Sequence, residues 1–562
     1  MVTEAPHAPR ATFLTLLSCL LLCSALLLSS CDLGNATARP HGPQRGGSIT
    51  TAIEGDVESL LPFQPFGGET LSVDQAIWTP LWYGDPTSTM HPGLAQEIPS
   101  LQNGGISADE KTWTIRLRPH LKWSDGSPLT ADDVAFSLNI YADPHFGRNG
   151  GFPLHDPADP IDFLGATILD PITVRFTLAH PDHLLLAILA DGVAGPIPQE
   201  IFGAVPPGDI AKSHQGFFPT VVSGPFELKE HIQGDHLTVV RNPYYYQGPA
   251  KPYLDQITFR FLSSQEAIFR ALQAGRVDTT YDLSLASLDR ARELTGYSTY
   301  LDQFPSGYEV LIFNLTNPML KDLAVRQALT LSLDPRRVMA LLPPGIAAPT
   351  CDDQAGTFAH EPQLTCYPQD PLRAGILLDQ DGWRLGPDGI RHKGSQSLAL
   401  RYATFNTNNN PYRLQIEALA QAAWARIGVK ITFQNYATHE FVLSVLPHGT
   451  FDIAEFYHWP SYDPDDGWFF MCNQTPDKGG GNDMHYCNSV VDLTETSQQS
   501  TTDIDVRRAA YHTIHAIILA DVPVMYLYSL RQAAVYRSTL HNYSPSAAGA
   551  DELWNVWDWY LA

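Results

Sequence analysis

The chain has 562 residues, of which 44% are apolar and 17% charged, so it can bury a substantial core and is not intrinsically disordered. Sixty acids against 35 Lys and Arg give a formal net charge of -25, which repels phosphate backbones and anionic lipid and excludes nucleic acid as a partner. Forty-four prolines and 41 glycines indicate many turns and argue for a mixed α/β chain and against a helical bundle.

Residues Thr12 to Leu28 form the one long uncharged apolar run, of the length of a signal-peptide core. It ends in Leu28-Ser29-Ser30-Cys31, which resembles the lipobox of bacterial lipoproteins. Small residues let a peptidase grip an extended chain, and the Cys31 thiol carries the lipid. The resemblance implies a signal peptide over residues 1–30, a lipid anchor at Cys31, and a polar, Gly- and Pro-containing tether over 31–46. The alternatives are a plain cleaved signal or an uncleaved anchor.

Four cysteines remain beyond the anchor: Cys351, Cys366, Cys472 and Cys487. They form two local pairs of equal spacing in loop-like sequence, so the spacing predicts Cys351–Cys366 and Cys472–Cys487 disulfides in an exported protein. A four-thiolate zinc site needs pairs two to four residues apart, and none exist.

In the body, Ser48–Ile53 alternates as a strand, and Lys111–Arg118 alternates strictly with Trp113, Ile115 and Leu117 on one face. Asp125-Gly126 marks a tight turn, and Thr130 followed by Asp132 and Asp133 opens a helix. Ser263-Ser264-Gln265-Glu266 is a second helix start, with Ile268 and Leu272 on its buried face and Gly275 as its stop. A strand through Leu398, Leu400 and Tyr402 precedes a helix with Ile416, Ala420, Ala423 and Ile427 on one stripe. Gly428 and a strand over Val429–Phe433 then complete a β-α-β unit.

The mature chain contains no P-loop, GxGxxG, GxSxG, HExxH or CxxC. His512 and His515, three apart on a helix, could share a metal, but a polar stripe on an amphipathic helix accounts for them better. No cofactor and no metal are expected, and no catalytic constellation stands out. By contrast Phe456, Tyr457, His458, Trp459 and Tyr462 crowd one stretch before Asp463, Asp465, Asp466 and Trp468. Trp, Tyr, His and Asp in one loop suit a site that grips a polar organic ligand.

Several blocks resemble the family 5 extracellular solute-binding proteins of ABC importers, the dipeptide and oligopeptide class. They are Gly46-Gly47-Ser48 with Asp56–Pro62, Lys111–Leu138, Ser223–Tyr246, Ala271–Asp278 and Phe313–Asp334, in the family's order. Cys472 and Cys487 stand where many members carry a disulfide. The resemblance implies an α/β, periplasmic-binding-protein-like clamshell of two lobes with an extra domain on the first. Domain I would be discontinuous over 47–85, 215–305 and 525–562, with domain II over 86–214 and domain III over 306–524. It implies a lipid-anchored monomer on the outer face of the cell membrane that captures peptides and delivers them to permease subunits, without chemistry on the ligand. The Trp459–Asp465 segment departs from the family. Tyr462 stands where peptide binders carry the acid for the peptide amine, and Leu61 replaces the usual Asp of the opening block. Trp459, Tyr462 and His458 are therefore expected at the ligand, with Asp463 or Asp56 taking its amine. The bland alternative is that Asp463 and Asp465 only cap the next helix. Other solutes (oligosaccharide, nickel chelate or haem) form the second reading of the fold, and a lipid-anchored hydrolase the third.

Overall fold

The computed structural model describes residues 42–57, 59–62, 68–86, 89–146, 163–190, 194–281, 283–405, 410–458, 463–545 and 552–562. Residues 45–562 form one unit, built on two large sheets. The signal segment, Cys31 and most of the tether lie outside the described residues. No helix among the described residues is long and apolar enough to cross a membrane.

The alternating strand at Ser48–Glu54 runs parallel to Gln256–Leu262 along its whole length. It sits inside a seven-stranded sheet whose outer edge is the antiparallel hairpin Phe226–Ile232 and His236–Arg241. The helix after it, Gln265–Gln273, starts as its sequence requires. The Ala267 amide donates to Ser264 Oγ at 3.2 Å, Ile268 and Leu272 are buried, and Gly275 turns the chain at φ +66°. A second, three-stranded sheet joins Thr112–Arg116, Thr173–Leu178 and Phe163–Asp170. Trp113, Ile115 and Leu117 all face inward from it. Helix Ala131–Tyr141 packs against this sheet and begins with a reciprocal cap between Thr130 and Asp133. One continuous hydrophobic core runs from Ile49 and Ile53 to Trp113 and Val134, so the smaller sheet is fixed to the larger one as a single lobe.

The second lobe contains the expected β-α-β unit. Ala399–Phe405 and Lys430–Tyr436 are parallel in register Leu400 to Ile431, and helix Arg413–Arg426 connects them. Ile416 and Ala420 are buried, the Trp424 indole donates to the Leu329 carbonyl at 2.9 Å, and Gly428 adopts φ +78° at the turn. Every residue of the central strand Gly307–Phe313 is buried, as a strand covered on both faces must be.

The chain leaves the first sheet after Leu301 and enters the second at Gly307; it returns between Leu530 and Ala533. The two crossings run side by side. The Asp302 amide donates to the Gln532 carbonyl at 3.0 Å and the Ser306 amide to the Leu530 carbonyl at 2.7 Å. These segments, 302–306 and 531–532, are the hinge. The second lobe consequently runs on past the 524 read from the sequence, because all seven residues of Val524–Leu530 are buried in its sheet beside Gly307–Phe313.

Cys351 is bonded to Cys366 and Cys472 to Cys487. Non-reducing peptide mapping of the exported protein is expected to recover these two pairs. Replacing Cys472 and Cys487 by Ser should cost about 3 kcal/mol by the entropy of a loop of ~15 residues. Crossed pairs, or four free thiols, would contradict the fold at both loops.

Candidate ligand-binding cleft

The lobes touch at two ends. Beside the hinge, Leu285 and Leu288 of the first lobe share a core with Leu342 and Ile346, and Arg292 donates to the Pro344 carbonyl at 3.1 Å. Away from the hinge, Glu110 accepts from the Thr502 amide at 2.8 Å and the Thr501 hydroxyl at 3.3 Å. His183 makes the more extensive second contact. The lobes are thus joined both beside the hinge and through contacts of Glu110 and His183.

Local sequence sets His183 rigidly. Asp182 accepts from the Leu184 and Leu185 amides at 2.7 and 3.2 Å, capping the short helix Leu184–Ile188 and fixing the backbone at His183. The imidazole then reaches the second lobe, where Nδ1 donates to the Gln499 carbonyl at 2.9 Å and Nε2 donates to Asp465 Oδ2 at 2.8 Å. Asp463 lies 3.8 Å from the same Nε2, and the His183 side chain is 2% exposed. Arg507 from helix Ile504–Asp521 completes the group. It grips both Asp463 oxygens, donates to Gln498 Oε1 at 2.9 Å, and stands over the Phe358 ring at 5.1 Å. Two carboxylates thus meet one guanidinium and one imidazolium, and the buried group is neutral as a whole.

The electrostatics agree with that pairing. Burial favours the neutral form of Asp465, but the hydrogen bond and charge of His183, with the Gly467 amide and Gln498, hold its carboxyl at about 2. Burial likewise opposes a charge on His183, yet Asp465 and Asp463 outweigh it and raise the imidazole above its ordinary value. Arg507 is raised as well, against its burial, by the charge and hydrogen bonds of Asp463.

The residues expected at the ligand fall into three groups. Trp459 and Tyr462 lie outside the described residues. Asp463 is not available to a ligand amine, because Arg507 occupies both of its oxygens in a buried site. Asp56 is likewise committed: it accepts from its neighbour's amide at Val57, from His231 at 3.0 Å and from the Gly234 amide at 2.6 Å, pinning the outer hairpin of the first sheet. His458 stacks on Phe469 at 4.6 Å in the second lobe, and burial pushes its imidazole down to about 4. Asp465 Oδ1 accepts from the Gly467 amide at 2.7 Å at the start of helix Gly467–Phe470, but Asp465 also binds His183 and so does more than serve the turn. His183, Glu110 and Arg507 escaped the sequence reading because no local pattern marks their contacts, which span 282, 392 and 44 residues. The polar stripe expected at His512 and His515 is half-buried at the first and buried at the second. His515 is buried against Asp466 at 3.0 Å, while His512 pairs with Glu361 at 2.8 Å.

A cavity of about 420 Å³ opens beside the hinge between Gln303–Pro305, Arg531 and the disulfide loop of Cys351 and Cys366. Crossing segments and second-lobe residues line it.

Residues 89–480 match the bacterial extracellular solute-binding proteins, family 5 Middle, which is well over half of the chain. The chain belongs to this family. Along 571 aligned residues it is 25% identical to the oligopeptide-binding protein AppA of Bacillus subtilis (strain 168), covering 98% of this chain and 99% of that protein. The solved structure of Bacillus subtilis AppA in complex with a nonapeptide superposes with a TM-score of 0.72 at 23% identity, over 92% of this chain and all of that one. NikA from Brucella suis in complex with Fe(III)-EDTA superposes with a TM-score of 0.77 at 22% identity, again over 92% of this chain and all of that one. For this family-5 chain the two-lobed clamshell is therefore the fold, and its members are extracellular proteins that bind solutes.

Proposed function

We propose that this chain is the peptide-capturing component of an ABC importer. It is a monomer tethered through lipid on Cys31 outside the cell membrane, it closes two lobes around a peptide, and the closed form docks on permease subunits. The ligand leaves chemically unchanged. The observation that carries this reading is the end-to-end match to an oligopeptide-binding protein, on a fold whose lobes meet at both hinge and rim. The acidic body and the long polar tether are consistent with work away from the lipid surface.

Within this reading Trp459 and Tyr462, which follow directly on the strand Ile453–His458, enclose the ligand. Ligands in open α/β sheets lie beyond the carboxyl ends of strands, which is where these two residues fall in the chain. Trp459→Ala is expected to weaken peptide binding by roughly 30-fold, corresponding to about 2 kcal/mol for a buried aromatic anchor.

Native mass spectrometry of the protein as purified, followed by calorimetry with a peptide pool, tests the assignment. A retained or titrated peptide, recovered intact, supports it. A retained sugar or metal chelate would overturn the peptide reading, and turnover of the peptide would make the protein a hydrolase. Separately, Cys31→Ala is expected to move the protein into the aqueous fraction; a variant that still partitions with membranes would mean that the apolar run is an uncleaved anchor.

A further inference from the structure

Two triads are built alike, each one histidine with two aspartates whose donor atoms lie within 4.8 Å of one another: His183, Asp463 and Asp465 across the two lobes, and His515, Asp353 and Asp466 within the second. The first has its cation in Arg507. The second has none. Among the described residues, the only ion-pair partners of Asp353 and Asp466 are histidines: His515 Nε2 lies 3.0 Å from Asp466 Oδ2 and 3.8 Å from Asp353 Oδ1, and His458 Nε2 lies 3.6 Å from Asp353 Oδ2.

Burial makes this imbalance consequential. The side chains of Asp353, Asp466 and His515 are 0%, 5% and 2% exposed. Gln354 donates to Asp466 Oδ1 at 2.7 Å and to Asp353 Oδ1 at 3.3 Å, which leaves Asp353 Oδ2 without a hydrogen-bond donor. Burial raises the Asp353 carboxyl above its ordinary value, against the pull of His515 and of the Tyr526 hydroxyl, which itself completes no hydrogen bond of ordinary geometry. His515 Nδ1 is unpartnered as well. Two carboxylates sealed from water without a compensating cation cannot both stay charged at low cost: one holds a proton, or a bound cation takes the proton's place.

We propose that Asp353, Asp466 and His515 form a binding site for a divalent transition-metal ion, with Zn²⁺ as the ion its one nitrogen and two carboxylate donors suit. Three protein ligands at ~2.0–2.2 Å are what zinc takes when a fourth position is left to a further donor, and His458 Nε2 lies 3.6 Å from Asp353 Oδ2. Donors around tetrahedral zinc are roughly 3.3 Å apart, between the two His515 distances already present. The ion would join three segments that the chain brings from far apart: the disulfide loop at Asp353, the loop at Asp466, and helix Ile504–Asp521. Asp466 follows directly on Asp465, so the same ion would brace the loop that receives His183. This site lies inside the second lobe and is a structural fixture, not cargo; it holds whether or not the solute is a peptide.

The test uses the full mature chain, stripped with a chelator, dialysed and titrated with ZnCl₂ in a calorimeter, with metal content read by native mass spectrometry. One zinc per chain is expected, with a higher unfolding temperature in its presence. His515→Ala and the near-isosteric Asp466→Asn, each checked for intact disulfides and an unchanged circular dichroism spectrum, should each weaken zinc binding at least ~10-fold. His183→Gln should bind zinc as the unmodified protein does. The proposal is overturned if the unmodified chain takes up no stoichiometric zinc, if Asp466→Asn binds it undiminished, or if His183→Gln alone abolishes uptake, which would place the ion at the other triad.

Discussion

Arg507→Met is expected to lower the stability of the second lobe by about 3–5 kcal/mol, the range for removing one partner of a buried ion pair. Its guanidinium is 3% exposed and serves Asp463 with two bonds, Gln498 with a third and Tyr511 with a fourth, at 3.2 Å. Methionine can fill much of the same volume beside Phe358, so the loss measures charge and hydrogen bonding more than a cavity. Asp463→Asn removes the other half of the pair and should also destabilise. A double-mutant cycle in urea should show strong coupling between the two positions, because each single change strands the other charge. The same pairing bears on ligand recognition. Asp463→Asn should weaken binding of a free-amine peptide and of its N-acetylated form alike. A loss confined to the free amine would mean that Asp463 reads the ligand after all.

His183→Ala is expected to weaken ligand binding by roughly 10- to 100-fold while changing the ligand-free melting temperature little. The contacts of His183 with Asp465 and the Gln499 carbonyl join the lobes, so they exist only when the lobes are closed. Charge-assisted hydrogen bonds of this kind contribute ~1.5–3 kcal/mol, which at 25 °C is the stated range of affinity. Their loss lowers the population of the binding-competent closed form and should appear mainly as faster release. The pH dependence carries a definite sign. His183 faces Asp463, Asp465 and Arg507 across the interface and Asp182 on its own segment, and its pKa is raised in the closed form. Its contribution to closure is fully present below the ordinary histidine value of about 6.5 and is lost as pH rises through the raised value. Affinity should therefore fall toward alkaline pH in the unmodified protein, and His183→Gln should remove that slope. An unchanged affinity in His183→Ala would show that the rim contact does not contribute to closure.

Local elements were readable because their signals are local. The cap at Thr130, the Ser264 start, the Gly275 and Gly428 turns and the alternating Trp113, Ile115 and Leu117 each depend on neighbours within a few residues. The disulfides were readable for the same reason, since each closes a span of 15 residues. The cleft was less legible. Asp463 looks like a free acid in its loop, and only the fold brings Arg507, 44 positions later, onto it. Asp56 follows the opening strand and looks like a free acid there, but the chain 175 residues on returns His231 to it. The late end of the second lobe was hidden as well, because Val524–Leu530 is apolar enough for either sheet and only pairing with Gly307–Phe313 assigns it. Charge and aromatic composition identify candidates for a binding site; which of them face a ligand is decided by partners that sequence distance conceals.

The central claim is capture of a peptide by closure of two lobes about the 302–306 and 531–532 crossings. The most direct measurement is the distance between spin labels at Leu164 in the first lobe and Leu493 in the second, 67% and 72% exposed, with and without a nonapeptide. Labels attached through non-natural ketone residues leave the four disulfide cysteines untouched. A broad, longer distance distribution in the ligand-free protein that collapses to a single shorter one on adding the peptide is the predicted result. A distribution that the peptide leaves unchanged, at concentrations where calorimetry shows the site to be filled, would contradict closure as the means of capture.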